Sequence, residues 1–306
     1  MEMVCNHVIS NKICMFDLIV ANYNNENFLV DFFESIISST LLPNKIIFVD
    51  DCSTDKSLQI VESYIKQDKI DIVLIKNLKN MGFANSLNRA ICNISSPYFA
   101  RLDPDDYVSS DRFEKQLDFL TKNFDIDVLG TNCFYVLNGE IRKKSNINND
   151  STAVKKDIIN GVLPVIHGTI MGKTGAIENF KYNQDLVPAE DYDLFAYLIY
   201  NNFNISNLKE ALTFVNIHEN SVSNDLKFST IVKRYDICNN YFKVNKIFIH
   251  RYLEYKHQYF YRRYLFKDSS LKYFYLLISA VLKPVKVLKI IKSKLLKKEK
   301  KNHDKF

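Results

Sequence analysis

Residues 98–106 read Tyr98-Phe-Ala-Arg-Leu-Asp-Pro-Asp-Asp106. An apolar run carries straight into three carboxylates, Asp103, Asp105 and Asp106. The run reads as a buried strand, and its end is a poor place for bare charge. Clustered like charges repel, and desolvating them is costly unless a cation or hydrogen-bond donors compensate. Hard oxygen ligands at this spacing suit Mg²⁺ or Mn²⁺, ions that in turn bind phosphates. The segment therefore points to a metal site that handles a nucleotide diphosphate. The competing reading is a solvated Asp-rich turn around Pro104.

Short apolar runs alternate with helical patterns on either side of this stretch. Strands are expected at Phe16–Ala21, Ile46–Val49, Ile70–Ile75 and Tyr98–Leu102. Helices are expected at Asn27–Ser39, from a Ser53 or Thr54 cap to about Lys66, at Ala84–Ile94 and at Asp111–Lys122. A strand at Val128–Gly130, a hairpin turn at Asn138-Gly139, a polar loop over 141–152 and a helix near Tyr192–Tyr200 follow. Strands alternating with helices argue for an α/β fold with a doubly wound, mostly parallel sheet. In such sheets ligands bind at the carboxyl ends of the strands. Three of those ends carry polar clusters here: Asn22-Tyr23-Asn24, Asp50-Asp51 and Asp103–Asp106. One such cluster is an ordinary helix cap. Three on one edge are better explained by a shared ligand.

The chain has seven glycines, and the first is Gly82. The first two strand–helix junctions therefore lack glycine. This excludes a dinucleotide-binding G-x-G-x-x-G and a P-loop, both of which need glycine for close approach of the backbone to phosphate. A nucleotide on this sheet must be held by side chains and metal.

At 306 residues, 47% hydrophobic and 25% charged, the composition is that of a globular protein with a substantial core. The six cysteines form no C-x-x-C pair and fit no zinc template, which suits a reducing cytoplasm. No signal peptide or membrane-spanning run is evident. The net charge of +6 is unevenly placed: residues 283–306 hold ten Lys against Glu299 and Asp304, a net of +8, leaving about −2 for residues 1–282. Val285, Leu288, Ile291, Leu295 and Leu296 share one helical face in that tail, with Lys opposite. A basic amphipathic helix reads as a binder of an anionic membrane surface; a solvated Lys-rich tail is the alternative. The aromatic series Tyr252, Tyr255, Tyr259, Phe260 and Tyr261 has helical spacing and reads as packing, so nucleic acid is not expected as a partner. The chain divides into residues 1–225 and a helical, basic extension over 226–306.

In order and spacing, six segments together resemble the family 2 glycosyltransferases of the GT-A fold. They are Asp17-Leu-Ile-Val-Ala-Asn-Tyr-Asn24, Val49-Asp-Asp-Cys-Ser-Thr-Asp55, Asn80-Met-Gly-Phe-Ala-Asn-Ser-Leu-Asn88, Ala100-Arg-Leu-Asp-Pro-Asp-Asp106, Glu190-Asp-Tyr-Asp193 and His218-Glu-Asn-Ser-Val-Ser223. The resemblance implies transfer of a hexose or N-acetylhexosamine from a nucleotide-sugar, a UDP-sugar by preference, with inversion. The acceptor would be a glycan or lipid-linked hydroxyl in surface polysaccharide synthesis, at the inner face of the plasma membrane. It implies Mn²⁺ or Mg²⁺ held by Asp105, with Asp103 on the ribose or the metal, and His218 in a matching segment beside it. Asp51 would read the uracil edge, Asp50 would be structural or ribose-directed, and Asn22 and Tyr23 would face the base. Asn88 and Arg101 would bracket the donor, and His167 would contact donor or acceptor. A base must stand across the sugar from the departing diphosphate, and the resemblance gives that role to Asp191, with Glu190 its neighbour. Two departures stand out: Asn216 where relatives carry Arg, and His167-Gly168 where His-Pro is expected. A non-catalytic nucleotide-sugar binder of the same fold is the alternative function.

Overall fold

The structure is a computed structural model that describes residues 16–218, 227–244, 248–266 and 271–282. Its first half is a run of β/α units. Strands β1 (Phe16–Asn22), β2 (Ile46–Asp50), β3 (Ile72–Lys76) and β4 (Tyr98–Arg101) are parallel, in the order β3-β2-β1-β4. Helices α1 (Leu29–Ile37), α2 (Ser57–Gln67) and α3 (Phe83–Ile91) connect them. β1 is buried along its whole length, as expected of a parallel strand covered on both faces. α1 turns Leu29, Phe32, Phe33 and Ile36 into the core, where Phe33 stacks on Phe48 of β2 and Tyr64 of α2.

The second half departs from the expected mostly parallel sheet. The nine strands among the described residues form one mixed sheet, continuing past β4 as β8-β6-β9-β5. β8 (Met171–Lys173) runs antiparallel to β4 and to β6 (Val128–Leu137), and β5 (Tyr107–Val108) runs antiparallel to β9 (Ile205–Asn216). Only β6 and β9 restore a parallel pair here. Local patterning carries no strand direction, so the reversal was not legible. β6 extends seven residues beyond the expected Gly130. Asn138 and Gly139, both at positive φ (52° and 77°), turn it into β7 (Glu140–Lys144), as the Asn-Gly pair requires. β7 occupies part of the span expected to be a polar loop. It is a charged edge strand, a composition that discourages edge-to-edge pairing and hides the strand signal. Asp150 then caps α5 (Ser151–Ile159), accepting from the Ala153 amide.

The expected Ser53 or Thr54 cap of α2 is also corrected. Asp55 accepts from the Ser57 amide and Glu26 from the Lys56 amide, leaving Ser53 to other partners described below. α4 (Arg112–Lys122) follows the acidic loop, and α6 (Glu190–Tyr200) starts two residues before the expected Tyr192.

Contacts divide the chain into two compact units. One holds residues 1–224 with 237–243; the other holds residues 225–236 with 244–306. Helix α7 (Phe228–Phe242) contributes to both. In the second unit α8 (Phe248–Phe266) packs on α9 (Lys272–Leu282) through Ser279, whose hydroxyl lies 2.9 Å from His257 Nδ1, and through Phe260 against Tyr275. The basic tail, residues 283–306, lies outside the described residues, as do Glu219 to Ser223 of the His218 segment. No helix among the described residues is long and apolar enough to cross a membrane.

Candidate active site

β4 ends where the acidic loop begins. Carboxylate oxygens of Asp103, Asp105 and Asp106 all lie within 4.8 Å of one another. Arg101, the last residue of β4 and 3% exposed, grips Asp103 with both terminal nitrogens, one of them 2.8 Å from Oδ2. Phe83 lies 5.4 Å beneath the guanidinium. Burial pushes the Asp103 carboxyl up, Arg101 pulls it back, and the charge of Asp105 raises it again. Asp106 is buried; desolvation and then Asp105 and Asp103 push it well above the usual carboxylate range.

Strand β9 closes the other side of the loop. The Asn216 amide donates to Asp106 Oδ1 at 3.0 Å, and Asn216 Nδ2 donates to the Asp105 carbonyl at 2.6 Å. Two residues on, His218 Nε2 lies 2.9 Å from Asp105 Oδ2, with the ring stacked on Phe28. That hydrogen bond raises the His218 pKa. Three carboxylates and an imidazole thus converge. The carboxylates suit Mg²⁺ or Mn²⁺, and an imidazole beside them favours Mn²⁺, which accepts nitrogen more readily than Mg²⁺ does. Arg101 holds Asp103 in place, and Asp103, Asp105, Asp106 and His218 are the side chains here that could hold such an ion.

At the ends of β1 and β2 the clustered polar residues largely satisfy one another. Asn22 donates to Asp50 Oδ1 at 2.9 Å, and Asp50 also accepts from the amide and hydroxyl of Ser53. Asn24 accepts from the Thr54 amide. Asp51, 3% exposed, accepts from Asn77 Nδ2 and from the amides of Met81 and Gly82. Asp50 and Asp51 therefore shape two loops. Tyr23, 46% exposed, is the open aromatic side chain at this end.

Glu190 and Asp191 open α6. Glu190 is 8% exposed, and one of its carboxylate oxygens is buried with no hydrogen-bond partner. Desolvation, followed by the charge of Asp191, pushes its pKa up to about 7; Arg101 and Asp103 also act on it, in opposite directions. The acidic loop and the start of α6 therefore feel each other's charge. Asp191 Oδ1 accepts from the Tyr192 amide at 2.6 Å. His167 lies in a 3₁₀ turn (His167–Thr169), buried, with Nε2 2.7 Å from the Tyr182 hydroxyl. Burial and then the nearby Arg101 charge hold its pKa well below the usual range, which favours the neutral imidazole. Asn88, expected to bracket the donor, pairs instead with both backbone polar groups of Tyr182, at 2.8 Å each. Its visible work is to hold Tyr182 against His167.

Three site residues escaped the sequence reading. Arg112 is fully buried behind the acidic loop, with Nε on Gln116 Oε1 and Nη2 on the Arg101 carbonyl. Burial lowers its pKa to about 9, while Asp106 and Asp103 support its charge. The signal was present: Arg112 and Gln116, four residues apart, sit among core-facing Phe113, Leu117 and Leu120. Gly168 was seen as a departure from His-Pro but not as a packing requirement. A Cβ there would lie 3.0 Å from Asp103 Oδ2 and 3.2 Å from Arg101 Nη1. Gln184 caps α3 by accepting from the Ala84 amide, 100 residues away, which no local pattern announces.

Comparisons with known proteins bear on the family and the fold. Residues 17–179 match the family model described as Glycosyl transferase family 2. An uncharacterized glycosyltransferase of Methanocaldococcus jannaschii, MJ1057, is 31% identical over 199 residues, covering 64% of this chain and 68% of that protein. Among solved structures, S. aureus TarS 1-349 in complex with UDP-GlcNAc superposes with a TM-score of 0.62 at 20% identity, covering 84% of this chain and 74% of that one. The mannosyltransferase PcManGT of Pyrobaculum calidifontis in complex with GDP-Man and Mn²⁺ gives 0.56 at 13% identity, covering 92% and 79%. These likenesses carry the GT-A fold. With the family model matching more than half of the chain, the protein belongs to glycosyl transferase family 2.

Proposed function

We propose that this chain is an inverting, metal-dependent transferase that moves a sugar from a UDP-sugar to a hydroxyl of a glycan or lipid-linked acceptor in surface polysaccharide synthesis. The observation that carries the reading is the convergence of Asp103, Asp105, Asp106 and His218 at the end of β4, with a second carboxylate pair within electrostatic reach. TarS, which shares the fold, is seen with UDP-GlcNAc, and PcManGT with GDP-Man and Mn²⁺.

The residues take roles by position. Asp105 and His218, with Asp103 beside them, would hold the ion, which would supply positive charge to the diphosphate as it leaves. Arg101 fixes Asp103 in one orientation, leaving a lone pair for a ribose hydroxyl. Tyr23 packs against the base, above the loops that Asn22, Asp50 and Asp51 hold in shape. The acceptor oxygen attacks the anomeric carbon from the α6 side and its proton goes to the Asp191 carboxylate. The bond from that carbon to the diphosphate oxygen breaks, and its electron pair leaves with the phosphate. A UDP-sugar leaves a hexose or an N-acetylhexosamine as the transferred group. A lipid-linked acceptor, together with the basic tail, favours a peripheral position on the inner face of the plasma membrane.

Thermal shift with UDP-, GDP- and dTDP-sugars tests the donor site. A UDP-sugar should raise the Tm only when Mn²⁺ or Mg²⁺ is present. Asp105→Ala should abolish that metal dependence, and Asp191→Asn should retain donor binding while lowering turnover about a thousand-fold. Near-normal turnover by Asp191→Asn would remove the base assignment. Donor binding by the wild type without hydrolysis or transfer would leave a nucleotide-sugar binder instead.

A further inference from the structure

Helix α9 carries no charged residue after Lys272. One side packs on α8 around Ser279, which is fully buried. The other side presents Tyr273, Phe274, Leu277 and Val281, which are 64%, 57%, 63% and 76% exposed. At about 100° per residue these four fall within an arc of roughly 100°. A helix packed on one side ordinarily turns polar residues to water on the other. Here the outer face is uncharged and apolar apart from the Tyr273 hydroxyl, and Leu271, also exposed, prolongs it. Such a stripe marks an interaction surface.

We propose that this face of α9 inserts into the interfacial layer of an anionic phospholipid bilayer, beside the strongly basic segment that follows it. Charge decides between a bilayer and a second copy of the chain. Residues 283–306 carry a net of +8. A symmetric dimer through α9 would bring two such segments together, and like charge opposes it. An anionic leaflet attracts the same segment. Length decides the orientation. Between Lys272 and Lys283, with Pro284 next, lie ten uncharged residues, too few to cross the hydrocarbon core, so the run lies in the interface rather than across it. The inference goes beyond electrostatic attachment by the tail, because apolar insertion survives salt that screens charge. It stands independently of the transferase reading, since its test reads lipid binding alone.

The chain contains no Trp, so Phe274→Trp in the full-length protein gives a single tryptophan, excited selectively over the tyrosines, on this face. With vesicles of phosphatidylcholine and phosphatidylglycerol, its emission should shift to the blue and be quenched by brominated acyl chains. Unchanged emission would overturn the proposal. Leu277→Gln with Val281→Gln removes apolar surface without altering charge. At about 0.15 M ionic strength it should lower vesicle partitioning about ten-fold or more, with an unchanged Tm. If that variant lost folding, Tyr273→Ser alone would take its place, with a smaller expected loss in the same direction. Partitioning within about two-fold of wild type would again overturn the proposal, as would a wild-type dimer that these variants dissociate without affecting vesicle binding.

Discussion

Glu190 and Asp191 are neighbours in sequence but not in environment. Glu190 is walled in by protein, with a carboxylate oxygen left unpaired, and its pKa rises to about 7 against an ordinary 4.5. Asp191 keeps partial exposure and an amide donor. Burial penalises the ionised form, so Glu190 contributes no penalty below the unfolded value. Wild-type stability falls as pH rises from about 4.5 through about 7. Glu190→Gln should therefore match the wild-type stability near pH 4 and exceed it increasingly toward pH 8, by about 3 kcal/mol at most. Thermal denaturation across that range checks it. A pH-independent difference would mean that Glu190 titrates as it does in water.

At the scale of elements, side chains from one segment repeatedly fasten another. Asp17, buried at the start of β1, accepts from the amides of Ser95 and Ser96, the Ser96 hydroxyl and Asn44, tying β1 to the residues that enter β4. Burial alone would raise its pKa, but these donors outweigh it and hold the carboxyl below the usual value. The stabilisation is present above the unfolded value near 3.8 and is lost as pH falls through the lower folded value. Asp17→Ala should cost about 3 kcal/mol at neutral pH, and the difference from wild type should shrink on acidification, as urea unfolding would show. Asp106 does similar work between the acidic loop and β9. It accepts from the Asn216 amide, two residues before His218. Asp106→Ala should weaken Mn²⁺ affinity about ten-fold through the displaced His218, measured by calorimetry, while Asp106→Asn, which keeps an acceptor, should lose less.

Across the whole molecule, every candidate site residue lies in the unit of residues 1–224 and 237–243, whereas the exposed apolar stripe lies in the other. UDP with Mn²⁺ should therefore slow amide hydrogen exchange around residues 22–24, 101–106 and 216–218 and leave the α8–α9 hairpin unchanged. Equal slowing in the hairpin would place ligand contacts outside the site described here.

Much of the first unit was legible because its signals are local. An apolar run that ends in polar side chains declares both a buried strand and a polar strand end, and 16–22, 46–50 and 98–106 each do so, the last two with carboxylates. The absence of early glycine similarly excluded two whole classes of nucleotide site. The six segments, taken in order, carried the family. Folding alone decided which neighbour each polar group would find. Asn22 and Asp50 face each other across paired strands, Asn88 meets Tyr182, Arg112 stands behind the acidic loop, and Asp106 reaches a residue 110 positions away. Strand direction in the second half was settled in the same way. The physical reason is range: periodicity and turn chemistry act over a few residues, whereas hydrogen-bond partners and desolvation depend on segments that become neighbours only when the sheet closes.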